Sequence, residues 1–348
     1  MSKVTLIGLD LAKSVFQVHG VNTEGEAILK KRLSRGQMLE FFARLAPCIV
    51  AMEACSGSHY WGRKLTSLGH TPRLISPRYV KPLVRTNKND AADAAAIATA
   101  ARQPEMPIVP IKSAEQQAVL SIHRARSGLV KSWTALCNQV RGLLTEFGFV
   151  LPVGPHRVLS QAPAILEDGE NGLPDRRRQR IQRLYDHLKQ LAAEIAHCEA
   201  LLAAWHRQNE ASQRLAVVPG VGVLTATAMV ATVGDAKQYR HGRQLAAALG
   251  LVPKQRSSGG TVGLLGISKR GDGYLRRLLI HGVRTIWRTQ QKRPDFEHTW
   301  LGKLAKRRPT NVALVAFANK RARTLWALLY HGRVYPPDHQ PRWTSAPA

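Results

Sequence analysis

Four acidic residues stand where chemistry could use them: Asp10, Glu53, Asp90 and Asp93. Asp10 follows the apolar run KVTLIGL, and Glu53 follows CIVAM, so each closes a predicted buried strand. Strand ends in an α/β sheet commonly meet on one edge. Asp90 and Asp93 are three apart at the start of an alanine-rich helix, which puts both on one helix face. Four such oxygen donors would suit Mg²⁺ or Mn²⁺, ions that bind carboxylates and water and hold substrate phosphates. In phosphoryl transfer an ion of this kind activates the nucleophile and stabilises the leaving oxygen. Each acid also has a plainer reading. Asp10 would cap a turn, Glu53 would face water, and Asp90 and Asp93 would oppose the helix macrodipole. The chemical reading rests on the combination, because residues 1–104 hold only seven acids.

A second group lies late in the chain, in LGLVPKQRSSGGTVGLLGISKRG (249–271). Ser257 and Ser258 fall between Arg256 and two glycines, which permit close backbone approach to a phosphate. Arg256, Lys269 and Arg270 would hold phosphate oxygens, and Arg276 and Arg277 in GDGYLRR extend the basic set. A serine here would attack a phosphodiester if a metal or base activated it. The plainer reading is a Ser-Gly-rich loop with no chemistry. Tyr274 is a competing nucleophile, or an aromatic that packs its helix. A Val-Pro-Gly-Val-Gly turn within 217–222 precedes a helix. Its Gly220 and Gly222 resemble the turn of helix-hairpin-helix modules, whose backbone amides hold DNA phosphate without reading sequence. The alternative is a tight turn between packed helices.

The charge supports a polyanionic partner. The chain has 51 basic and 23 acidic residues, net +28 over 348 residues. Residues 240–348 alone carry 21 basic and 4 acidic residues, so the last third is the main electrostatic footprint. Cys48, Cys55, Cys137 and Cys198 have neither metal-like nor redox-like spacing. With no secretory signal, they fit reduced thiols in a cytoplasm. The longest apolar stretch, around Val221–Val233, is too short for a bilayer.

The elements that must position these residues read as follows. Strands are predicted at 3–9, 14–20, 26–33, 48–52 and 73–75, with helices at 36–46, 58–68 and 90–102. That is a mixed α/β domain. In the middle, apolar residues recur at Val119, Ile122, Leu129, Trp133, Leu136, Val140, Leu143 and Phe147. A cleaner seam follows: Ile181, Leu184, Leu188, Leu191, Ile195, Cys198, Leu202 and Trp205. Steps of three and four predict two long helices paired as a coiled coil, between chains or within one globule. The Pro- and Gly-rich stretch 148–175 reads as a long loop. Later come helices at 224–233, 243–250, 272–289 and 310–330, with a loop or hairpin at 253–266.

Six long motifs occur in order: GLDLAKSVFQVHG, AMEACSGSHYW, KNDAADAAAIA, VPGVGVLTATAMVATVGD, QLAAALGLVPKQRSSGG and ISKRGDGYLRRLLIHG. By these the chain resembles the DEDD-type insertion-sequence transposases, the family numbered one-hundred-ten, also called bridge-RNA-guided recombinases. The resemblance implies a RuvC-like, ribonuclease-H-type domain over 1–110, with Asp10, Glu53, Asp90 and Asp93 as its metal-binding tetrad. It implies a coiled-coil oligomerisation region over 111–210, a mostly helical transposase domain over 211–335, and a tail over 336–348. It implies a catalytic serine before a glycine, pointing to Ser258, with Ser257 adjacent. It further implies donor and target DNA, a guide RNA, a tetramer built from dimers, a covalent serine–DNA link, and action at the bacterial nucleoid. Two other readings remain open: a hydrolytic RuvC-like junction nuclease that uses water, and a non-catalytic basic nucleic-acid-binding protein.

Overall fold

The computed structural model describes residues 3–84 and 89–336. The tail from 337 onward and Lys88 of KNDAADAAAIA lie outside the described residues. The chain divides between Gln117 and Ala118 into two compact units.

The first unit is a six-stranded mixed sheet. Its strands are β1 (Leu6–Leu11), β2 (Val15–Val21), β3 (Ala27–Ser34), β4 (Ile49–Glu53), β5 (Thr71–Ile75) and β6 (Ile108–Val109). The spatial order is β3-β2-β1-β4-β5-β6. β1, β2 and β3 form an antiparallel meander, β4 and β5 run parallel to β1, and β6 closes the edge antiparallel. The helices are α1 (Met38–Arg44), α2 (Ser58–Ser67), α3 (Pro77–Val80) and α4 (Asp90–Arg102).

Strand alternation builds two cores. Ile7 and Leu9 of β1, Val50 and Met52 of β4 and Leu74 of β5 share one core with Met38 and Phe42 of α1 and Trp61 and Leu65 of α2. Leu6, Ala51 and Ile75 face the other way and pack with Val80 of α3 and Ala96, Ile97 and Ala100 of α4. With both faces covered, β1 reads as a continuous apolar run. Its end therefore differs from the sequence expectation. Asp10 lies inside the strand, one residue before its end, and Glu53 is the last residue of β4. The helix expected over 36–46 is a 3₁₀ turn at Arg35–Gln37 followed by α1. β6 and α3 were not expected.

The second unit is helical apart from one hairpin. Its elements are α5 (Ala114–Thr145), α6 (Pro155–Glu167), α7 (Asp175–Gln208), α8 (Glu210–Ala216), α9 (Val223–Val233), α10 (Gly242–Ala248), the strands β7 (Pro253–Ser258) and β8 (Thr261–Ile267), then α11 (Gly273–Gln290), α12 (Trp300–Ala305) and α13 (Thr310–His331). The two long helices occur where the heptad steps placed them. Seam residues Ile181, Leu188 and Leu191 of α7 are buried with Leu136, Val140 and Leu144 of α5, and Arg126 donates twice to Glu199, at 2.8 and 2.6 Å. This part of the seam is thus covered within one chain, and α5 and α7 run antiparallel.

The long loop expected over 148–175 is corrected, because α6 occupies its middle, Pro155–Glu167. Two prolines hid it. Pro155 sits in the first turn, where its missing N–H costs nothing. Pro163 is inside the helix and leaves the carbonyl of Leu159 without its i+4 amide. The Tyr185 hydroxyl of α7 donates to that carbonyl at 3.0 Å, replacing the lost bond.

A large core joins α8, α9, α10, α11 and α13 through Leu215, Met229, Leu245, Leu279 and Leu325. A smaller cluster, Val119, Leu202 and Ala231, ties α5 and α7 to α9. All four cysteines are free thiols. Among the described residues no helix is long and apolar enough to cross a membrane.

Candidate functional site

In the first unit the parity of the strands decides where the acids go. Gly8 pairs with Ala51 in the parallel β1–β4 register, so the next same-face positions are Asp10 and Glu53. Both therefore share the face covered by α4. Gly8 lets that helix come close: a Cβ there would stand 2.1 Å from the Ala94 carbonyl oxygen and 2.6 Å from the Ala98 amide nitrogen. Asn89 fixes where α4 begins. Its side chain accepts the Ala92 amide at 2.7 Å and its carbonyl accepts the Asp93 amide at 3.0 Å. Asp90 and Asp93 then lie in the first turn over the end of β1.

Asp10, Asp90 and Asp93 each present an oxygen within 4.8 Å of the others. Glu53 is outside that group of three, but its negative charge is felt at Asp10. Burial pushes the Asp10 carboxyl up to about 6, and the charges of Asp93, Asp90 and Glu53 push the same way. Carboxylates gathered this closely favour a proton or a cation between them. This donor set, oxygen only, suits a hard divalent ion. Cys55, two residues beyond Glu53, borders the cluster. Burial and the charges of Glu53 and Asp10 hold its thiol protonated above the usual range.

In the second unit, Ser258 ends β7 and pairs with Thr261 across a two-residue Gly259–Gly260 turn. Both glycines have positive φ, 55° and 79°, as a tight hairpin turn requires. Alternation puts Ser258 on the same hairpin face as Arg256 and Ser257 on the opposite one. Ser257 accepts a bond from Gln255 at 3.0 Å. Arg256, Ser257 and Ser258 are all exposed.

Lys269 and Arg270 occupy a loop pinned to the end of α10. Lys269 adopts φ 53°, a strained value for a residue with a Cβ, and its amide donates to Gly250 at 3.1 Å. Arg276 braces the same loop, donating to the carbonyls of Leu249 at 2.9 Å and Arg270 at 3.4 Å. It therefore positions Arg270 as well as carrying charge. Arg277 is exposed, lies over the Tyr274 ring at 5.5 Å and donates to Ser127 at 3.4 Å. Tyr274 is half-buried, and its hydroxyl meets His123 Nδ1 at 3.0 Å. His123 Nε2 meets Thr227 Oγ1, also at 3.0 Å. Burial pushes His123 down to about 4, so it is neutral near pH 7.

Gly220, with φ 79°, packs its backbone on α11, where a Cβ would stand 2.7 Å from the Gly282 carbonyl. Gly222 precedes α9 and is open to solvent. Beside this turn lies a cleft of about 780 Å³ that includes His281, Arg284 and Arg288. With Arg277 these form an exposed stripe spaced four, three and four along α11. The sequence marks 272–289 as a basic helix but, of this stripe, singles out only Arg277, and it gives no sign of the buried His123–Tyr274 pair. Helical spacing of the basic residues was the available signal for the first; nothing local marked the second. A larger groove of about 870 Å³, lined by Leu265, Ile267, Trp300, Val312, Lys320 and Arg323, runs between the hairpin and α13.

Comparison with known proteins finds likeness over almost all of the chain. Residues 7–149 match the DEDD transposase model of the IS110 type, and residues 212–298 match the model described as transposase IS116/IS110/IS902 family. A probable family 20 transposase of Pseudomonas aeruginosa is 50% identical over 95% of this chain and 98% of its own length. The transposase for insertion sequence element IS1111A of Coxiella burnetii is 43% identical over 96% and 92%. The transposase for IS1328 of Yersinia enterocolitica is 39% identical over 96% and 99%.

Proposed function

The chain belongs to the IS110 family of insertion-sequence transposases, and from that premise we propose a metal-assisted, serine-mediated DNA strand transfer. Membership makes it an enzyme that cuts and joins DNA. The observation that carries the finer reading is the convergence of Asp10, Asp90 and Asp93 within 4.8 Å at the end of β1. Three antiparallel strands followed by two parallel ones, with acids at the ends of β1 and β4 and on a covering helix, support a RuvC-like first domain. Asp10, Asp90 and Asp93 would hold Mg²⁺ or Mn²⁺, with Glu53 completing the set. A bound divalent ion would polarise the scissile phosphate and favour loss of a proton from the nucleophile.

The nucleophile in this reading is Ser258. Its Oγ bonds to phosphorus as one phosphorus–oxygen bond to a deoxyribose breaks. The hydroxyl proton goes to an acceptor, and the leaving oxygen takes one up. Arg256 on the same hairpin face, with Lys269 and Arg270, steadies the phosphate oxygens. Arg276, Arg277 and the turn at Gly220 and Gly222 hold backbone phosphates further along. By the family resemblance, a guide RNA selects the target. By the same resemblance the working unit is a tetramer built from dimers, in which one subunit's carboxylates serve another's serine.

The test is direct. Asp10→Ala and Ser258→Ala should each abolish strand exchange between element ends while DNA binding persists. A covalent protein–DNA adduct should appear on denaturing gels with the wild type and vanish with Ser258→Ala. Cleavage without any adduct would instead favour water as the nucleophile. RNA that co-purifies and restores exchange when added back would support the guide.

A further inference from the structure

Residues 150–211, between the two family matches, carry a charge arrangement that folding alone does not explain. After Asp175, α7 places Arg176, Arg177, Arg178, Arg180 and Arg183 within its first nine residues. The start of a helix bears the positive end of its macrodipole, where cations are disfavoured, and like charges three or four apart add repulsion. Two of the five act inside the fold. Arg178 donates to the carbonyls of Ile165, Leu166 and Leu173 and to Asn171 Oδ1, closing the end of α6. Arg177 lies over the Phe147 ring at 5.2 Å.

The other three do not. Arg176, Arg180 and Arg183 are exposed, and their spacing of four and three lines them along one face, which His187 continues. Among the described residues none of the ion pairs involves them. Asp186, on the same helix, is engaged by Lys189 at 3.2 Å and by Gln182 at 3.1 Å. The face is repulsive by itself and becomes favourable only against a polyanion.

We propose that the Arg176–Arg180–Arg183 face of α7 docks the phosphate backbone of duplex DNA. This rests on the chain being a DNA transposase and not on the carboxylate or serine assignments. Seven residues of helix span about 10 Å, the length of roughly three phosphates along one strand. Tyr185, the nearest Phe, Tyr or Trp along α7, is buried. Unpaired strands are held by exposed aromatic stacking, and beside the three arginines the face offers only the His187 ring at its end, so it suits a paired duplex.

The experiment is a salt series of binding to random-sequence duplex DNA with the full-length protein. The variant Arg176→Gln/Arg180→Gln/Arg183→Gln should bind about ten- to a hundredfold more weakly at low salt. Its slope of log K against log salt should shrink by about 2.7, three contacts at roughly 0.9 each. Its melting temperature without DNA should hold or rise, since repulsion is relieved. Arg178→Gln, the structural control, should melt lower yet keep the wild-type slope. Asp10→Asn should also keep the full slope, which separates this surface from the metal reading. Unchanged affinity and slope in the triple variant would overturn the proposal. So would a slope lost equally in Arg178→Gln, or a larger loss on duplex RNA than on duplex DNA.

Discussion

Gly8 of β1 and Ala94 of α4 meet backbone to backbone, with room for a hydrogen and nothing larger. A Cβ on Gly8 would lie 2.1 Å from the Ala94 carbonyl oxygen, and 2.9 Å from the Ala98 methyl. The two nearest atoms are backbone and the third is an alanine Cβ fixed to it, so no side chain can swing aside. The alanine-rich face of α4 and the bare strand position serve one purpose: they bring the first turn of α4, with Asp90 and Asp93, onto Asp10.

Gly8→Ala should therefore act on the site without touching an acid. Overpacking at such a contact costs about 1–3 kcal/mol. The relief open to the chain is to move α4 outward, and Asp90 and Asp93 move with it. The expected result is a folded protein with a lower melting temperature and a much larger loss of Mg²⁺- or Mn²⁺-induced stabilisation. A variant that melts lower but keeps the full metal-induced shift would show that the helix position does not set the site.

Asp10 makes a pH prediction. Its folded pKa, about 6, is above the ordinary 3.8, so the folded state holds the proton more tightly than the unfolded chain. That contribution is complete below the ordinary value and is lost as pH rises through about 6. Without metal, Asp10→Asn should then melt higher than wild type near neutral pH, with the difference closing toward about pH 4. Divalent ion should stabilise the wild type above pH 6 and act weakly below it, because proton and cation compete for the same oxygens. Parallel melting curves for wild type and variant across this range would remove Asp10 from the buried cluster.

Much of this was legible in the residue order. Apolar runs before Asp10 and Glu53 marked the two central strands, and steps of three and four marked α5 and α7. What escaped depended on contacts distant in sequence. Asp10 could not be placed inside β1 because a strand covered on both faces gives no alternation to mark its end. Helix α6 was hidden because Pro163 reads as a breaker until Tyr185, 22 residues on, supplies the missing donor to Leu159. The arginine face of α7 was lost in a regional charge count, since residues 105–239 carry 15 basic and 12 acidic residues, net +3.

Asn89 allows the start of α4 to be tested by itself. Removing an N-cap side chain costs about 0.5–2 kcal/mol and frays the first turn, the turn that holds Asp90 and Asp93. Asn89→Ala should weaken the metal-induced rise in melting temperature more than it lowers the metal-free value. Asn89→Asp or Asn89→Ser, which keep a capping oxygen, should restore most of the loss. If Ser and Ala behave alike, the cap does not govern the acids.

Tyr274 separates packing from chemistry. Its hydroxyl donates to His123 Nδ1, and the neutral His123 donates from Nε2 to Thr227 Oγ1, which itself donates to the Val223 carbonyl at 2.7 Å. This chain has one consistent proton order, and it joins α5, α9 and α11. A phenol already spent on a buried acceptor, with burial raising its pKa, is a poor nucleophile. Tyr274→Phe keeps the ring under Arg277 but leaves His123 Nδ1 without its donor, a loss of about 1–3 kcal/mol. The variant should melt lower and still form the covalent DNA adduct in the folded fraction. Loss of the adduct with an unchanged melting temperature would transfer the attack from the serine hairpin to this tyrosine.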